Sequence, residues 1–188
     1  MPKALTDDQV AYYNDNGFLS PYGVCSEAEA AAMYAKFEAM EETLGEEPQE
    51  KFRLKAHLPF PWLCDLVRHP RLLDALEDLI GPDILCWGSS FFTKKAGDER
   101  FISWHTDSFF YGFEPRETAT AWFSFNASTV GSGCVRYIPG SHKIEAIHDF
   151  HPEPNNLAPV GQTVRGVDGG KAVDATLRAG QVAFHHES

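Results

Sequence analysis

The first 82 residues carry apolar positions at helical spacing, punctuated by capping residues. Thr6 precedes DDQVAYYNDNG, which puts an N-cap and two acids in a first turn, with Gly17 as the stop. Ser26 heads EAEAAAMYAKFEAMEETLG, a second helix ending at Gly45, in which Ala30, Met33, Tyr34 and Phe37 share one face and are expected on a core. A loop with acids and Pro48 follows. Pro61-Trp62-Leu63 opens a short helix, and Pro70 starts RLLDALEDLI, closed by Gly81-Pro82.

From Asp83 the pattern changes. ILCWGSSFFTKK, RFISWHTDSFF, TATAWFSFNAS and GCVRYIPG are short aromatic and β-branched runs broken by Gly, Pro and Asp, which predicts an antiparallel sandwich or barrel. Residues 144–174 lack periodicity and are rich in Pro, Gly and Asn, so they read as a long irregular segment, a mobile cover over a site. LRAGQVAFHH then resumes strand character up to Ser188. The whole reads as a single domain over 1–188, helical over 1–82 and mainly β over 83–188.

Composition changes this picture little. Hydrophobic residues make up 43% and charged residues 23% of 188, enough for one well-buried core. The net charge of −11 argues against a nucleic-acid partner. Cys25, Cys64, Cys86 and Cys134 show no CxxC spacing, so zinc-ribbon and redox motifs fail. With neither an apolar leader nor an 18-residue apolar run, no membrane segment is expected and the cytoplasm is the default location.

The chemistry concentrates in Trp104-His105-Thr106-Asp107. On a strand, residues i and i+2 share a face, so His105 and Asp107 would project side by side as an imidazole and a carboxylate able to grip one metal ion. Two such ligands plus a distant His make the facial triad of non-haem iron(II) oxygenases. His-x-Asp alone is weak, because about 0.5 matches arise by chance in this composition. His151-Pro152-Glu153 and His185-His186-Glu187 are His-x-Glu decoys, the former in a Pro-rich loop that would not align two ligands.

The surrounding residues lift that ambiguity. The paired Phe and Lys before the motif, Trp-His-x-Asp itself, Tyr111-Gly112 with Glu114-Pro115, Ala121-Trp122, and Gly133-Cys134 leading to Pro139-Gly140-Ser141-His142 together resemble the phytanoyl-CoA dioxygenase family. LTDDQVAYYNDNGFL and LVRHPRLLDALEDLIGPDIL extend the likeness over nearly the whole chain.

The resemblance implies a double-stranded β-helix (jelly-roll) core and a dioxygenase that uses Fe(II), O₂ and 2-oxoglutarate, hydroxylating a small-molecule substrate. It implies His105 and Asp107 as metal ligands, and Lys55, Ser90 and Trp122 beside 2-oxoglutarate. Ser90 stands where the family pattern has Gln. Iron-dependent halogenases similar to this family replace the carboxylate with a small residue, so Asp107 points to hydroxylation. Phe109, Phe110 and Tyr111 line either the substrate pocket or the core. Pro139-Gly140-Ser141-His142 reads as a structural turn.

The family's distal His and its 2-oxoglutarate-binding Arg align beyond Ser188. The jelly-roll is therefore expected to lack its last strands in this chain, which would not be a competent dioxygenase alone unless His186 stands in as third ligand. The alternative function is a catalytically inactive jelly-roll that binds a metal or a partner protein.

Overall fold

The computed structural model describes residues 2–114 and 117–188; Pro115 of the Glu114-Pro115 pair and the side chain of Phe110 lie outside them. The helices begin and end where the capping residues dictate. Helix α1 (Asp7–Asn16) starts in a reciprocal capping box between Thr6 and Gln9 and stops at Gly17, whose φ of +80° is left-handed. A Cβ at Gly17 would collide with the His142 ring, so glycine is required there for space as well as for conformation. Strand β1 (Phe18–Gly23) follows. Helix α2 (Glu27–Leu44) has its own capping box between Ser26 and Glu29.

The loop expected around Pro48 contains one helical turn, α3 (Pro48–Lys51), with Pro48 at its first position. Helices α4 (Pro61–Val67) and α5 (Pro70–Ile80) open on proline as expected. Beyond them lie the one-turn helix α6 (Ser108–Tyr111) and the strands β2 (Ala119–Phe123), β3 (Arg136–Tyr137), β4 (His148–Phe150), β5 (Gln162–Val164), β6 (Val173–Asp174) and β7 (Gln181–His186).

The principal sheet has the order β1-β7-β2, all antiparallel, with β7 in the middle. Its outer face packs on α1 and α5: Leu19, Tyr22, Val182 and Phe184 meet Tyr13, Leu72, Ala75 and Leu76 in one buried cluster. A second cluster joins Phe37 and Met40 of α2 to Leu63 and Leu66 of α4 and to Phe91, with Met33 and Tyr34 packed at its margin. This fulfils the α2 periodicity. On the opposite face of the sheet Ala183 packs with Ala175 and Leu177 against Trp122 and Tyr137.

Two expectations need correction. Residues 83–94 and 102–106 lie in no β-ladder among the described residues; they are tied instead by single bonds such as Ala56 N–H to the Ser89 carbonyl. Aromatic and β-branched composition favours a pleated surface, but a strand exists only where a neighbour supplies the ladder. The architecture is therefore mixed helix and sheet rather than mainly β.

Residues 144–174 are not patternless. They form the β4–β5 pair, with His148 opposite Val164 and Phe150 opposite Gln162, and they bond to residues 101–104. The four cysteines are free. Among the described residues no helix is long and apolar enough to cross a membrane.

Phe184 is fully buried on the central strand. Phe184→Ala is expected to destabilise the chain by about 3–5 kcal/mol, read as a lower urea midpoint. A midpoint unchanged within error would contradict the sheet order.

Candidate metal-binding site

Residues 101–107 are held from two sides. The Trp104 carbonyl accepts from Val164 N–H at 2.8 Å, the Ser103 hydroxyl donates to the Gln162 carbonyl, and the fully buried Gln162 amide donates to the Thr106 carbonyl at 3.3 Å. At the far end Ser108 N–H donates to the Glu187 carbonyl at 2.8 Å. His105 and Asp107 thus sit on a pinned turn rather than on a strand. Asp107 is already right-handed helical at φ −70°, ψ −35° and leads into α6.

Their side chains still converge, with His105 Nε2 3.4 Å from Asp107 Oδ1. The His105 Nδ1 lies 2.8 Å from the Ser103 carbonyl. A carbonyl only accepts, so Nδ1 carries a proton; in the imidazolium Nε2–H also donates to Asp107, and losing that proton frees the Nε2 lone pair for a metal.

The other carboxylate oxygen is engaged by the principal sheet. Thr120 on β2 and His185 on β7 are register partners, so their side chains share one face of the sheet. The Thr120 hydroxyl donates to Asp107 Oδ2 at 3.0 Å, and His185 Nε2 lies 3.3 Å from the same oxygen. His185 Nδ1 is 2.9 Å from the Tyr137 hydroxyl. The Tyr137 ring in turn stacks on Phe18 at 4.9 Å. None of Thr120, Tyr137 or His185 carried a sequence signal for this arrangement, because each depends on strand register.

Burial alone would push the Asp107 carboxyl up, but its bonds to His105 and His185 outweigh that and hold it far below the ordinary carboxylate range. Burial would lower His105, yet Asp107 and the Ser103 carbonyl leave it raised. Two donor atoms cis on one first-row ion, each roughly 2.0–2.2 Å from it, lie about 3 Å apart. The His105–Asp107 pair fits such an ion. Among the described residues no group of three or more His, Cys, Asp or Glu side chains is arranged to hold one.

The remaining sequence candidates distribute unevenly. Trp122 lies on the same face of β2 as Thr120, packed against Ala183 and tilted 5.4 Å from Phe92. Lys55 and Ser90 are exposed, on segments joined by the Ala56–Ser89 bond; Lys55 has a left-handed φ of +62°. The hydroxyl that is engaged there belongs to Ser89, which meets His57 Nδ1 at 2.8 Å.

His186 points away from Asp107, its ring 5.3 Å from His142, because neighbours on a strand face opposite sides; it does not stand in as third ligand. His142 bonds the Asn14 carbonyl at 3.1 Å, so the Pro-Gly-Ser-His turn is structural, as expected. His148, unassigned in the sequence, reaches Thr106 Oγ1 at 3.1 Å and packs between Phe109 and Phe150.

The two shifts fix a pH dependence for the metal-free protein. The depressed Asp107 contributes stability that is full above about pH 4 and is lost as pH falls through its folded value. The raised His105 contributes stability that is full below about pH 6.5 and is lost as pH rises through its folded value. The pair therefore stabilises most between those limits. The wild-type advantage in melting temperature over Asp107→Asn is expected to shrink from pH 6 to pH 8. An advantage that grows over that interval would contradict the pairing.

Comparison with known proteins follows the same lines. Residues 13–188 match the model of the family described as phytanoyl-CoA dioxygenase (PhyH). The chain is 28% identical over 157 residues to an ectoine dioxygenase of Bordetella parapertussis, covering 74% of this chain and 50% of that protein. It thus spans about half the length of that curated relative.

Among solved structures, the apo form of the non-haem monooxygenase ThoJ superposes with a TM-score of 0.81 at 27% identity, over 96% of this chain and 68% of that one. The non-haem α-ketoglutarate-dependent carbocyclase SnoK from nogalamycin biosynthesis gives 0.73 at 25%, over 100% and 78%. The fold is that of the non-haem oxygenases, and the chain belongs to the phytanoyl-CoA dioxygenase family.

Proposed function

We propose that this chain acts as an iron(II)- and 2-oxoglutarate-dependent dioxygenase that hydroxylates a small organic substrate. The observation that carries the reading is the convergence of His105 Nε2 and Asp107 Oδ1 at 3.4 Å, with the His105 tautomer set by the Ser103 carbonyl. His105 would contribute its Nε2 lone pair and Asp107 an ionised oxygen. Bound iron(II) supplies the chemistry that couples decarboxylation of 2-oxoglutarate by O₂, giving succinate and CO₂, to insertion of one oxygen atom into a substrate C–H bond.

The protein's own contributions are positional. Gln162 and Val164 hold the turn that carries His105, and the principal sheet holds Asp107. For 2-oxoglutarate we retain Lys55 as a cation for a carboxylate, Ser90 as a hydroxyl and Trp122 as an apolar wall beside the sheet face that bears Thr120. Phe109, beside His148 and Phe150 and two residues after Asp107, is a wall for the substrate. In this reading residues 1–188 form one domain, and segments 83–94 and 102–106 take strand positions of a jelly-roll.

Anaerobic titration with Fe(II) and then 2-oxoglutarate is expected to raise a visible metal-to-ligand charge-transfer band. His105→Ala and Asp107→Ala are expected to abolish it while far-UV circular dichroism stays unchanged. A band of full intensity in both variants would overturn the assignment. Its absence from folded wild-type protein at saturating ligand would favour a binding module without this chemistry.

A further inference from the structure

The principal sheet does more at Asp107 than bury it. Several groups reach the carboxylate: His105 faces Oδ1, Thr120 and His185 both meet Oδ2, and the Tyr111 hydroxyl bonds Asp107 as well. Thr120 and His185 are cross-strand partners, so the register of β2 against β7 places both on one oxygen. A carboxylate oxygen accepts only, which requires His185 to present Nε2–H; in the neutral ring Nδ1 is then an acceptor and takes the Tyr137 hydroxyl proton at 2.9 Å. Burial pushes the Tyr137 phenol well above its ordinary range and keeps that proton in place. Tyr137 is itself braced by its stack on Phe18, the residue of β1 opposite His185.

We infer that His185, oriented by Tyr137, is a positioning residue that together with Thr120 occupies Oδ2 of Asp107 and leaves Oδ1 turned toward the His105 side, where the metal binds. His185 is therefore a partner of the ligand and not a ligand. An ion held by His105 Nε2 and Oδ1 would leave Oδ2 to Thr120 and His185. Groups of this kind fix the direction of the donated lone pair, and their removal typically costs 10–100-fold in metal affinity. The inference rests on the reading of His105 and Asp107 as ligands.

The test uses Co(II) as the probe, titrated calorimetrically into the 188-residue chain, with Cu(II)-loaded samples examined by electron spin-echo to count coordinated imidazoles. His185→Ala is expected to weaken Co(II) binding by about 10–100-fold. His185→Gln, which keeps an N–H donor at similar reach, is expected to recover most of that loss. Thr120→Val and Tyr137→Phe, each removing one hydroxyl with little change of shape, are expected to give smaller losses, and they keep the test alive if His185→Ala unfolds. The imidazole count should be the same in wild type and His185→Gln.

If His185→Gln binds as poorly as His185→Ala and the count falls by one, His185 is a direct ligand and the inference is overturned. Unchanged affinity in His185→Ala and Thr120→Val overturns it as well. Should His105→Ala and Asp107→Ala also bind Co(II) like wild type, the underlying metal-site reading has failed, and that result is distinct from the other two.

Discussion

The backbone ladder on both edges of β7 is the constraint from which the rest follows. Because β1 and β2 both pair with it, its residues are fixed in register from two sides, and each face acquires a different task. Val182 and Phe184 face outward and close the core against α1 and α5. Ala183 and His185 face the other way, beside Trp122 and Thr120, and there the sheet meets Asp107. A slip of one residue would exchange these faces, burying an imidazole among Leu72, Ala75 and Leu76 and withdrawing a bond from the carboxylate. Stability and the geometry of the candidate site are therefore coupled through one strand.

Asp107 shows how that coupling works electrostatically. A partly buried carboxylate is costly unless its oxygens are paired, and here they are shared among His105, His185, Thr120 and Tyr111. The turn bearing His105 is held independently, by Gln162 and Val164 of a segment whose sequence has no periodicity. Two separate parts of the chain thus fix the two members of the pair, and their 3.4 Å approach is a property of the tertiary fold. The expected strand geometry was not the cause: the side chains converge from a turn that leads directly into α6.

This explains what could be read in advance. Capping residues act locally, so Thr6, Ser26, Pro61 and Pro70 marked helix starts that the structure reproduces. Strands depend on partners distant in the chain. FLSPYG became β1 because β7 lies beside it, whereas the more β-like ILCWGSSFF lies in no ladder among the described residues. His105 and Asp107 were legible because their spacing and surroundings carry a family pattern. Thr120, Tyr137 and His185 were not, since their role exists only once β2, β3 and β7 are assembled. Conversely, alignment with the family singled out Lys55 and Ser90, the latter where the family has Gln, and the structure leaves both on the surface.

The central claim is that His105 and Asp107 together hold a metal ion on a scaffold built by β7 and the 162–164 segment. An anomalous difference map from crystals soaked in Mn(II) tests it most directly. The account requires a peak within coordination distance of both His105 Nε2 and Asp107 Oδ1, roughly 2.0–2.3 Å from each. A fully occupied Mn(II) peak elsewhere, with this pair left bound only to each other, would contradict it.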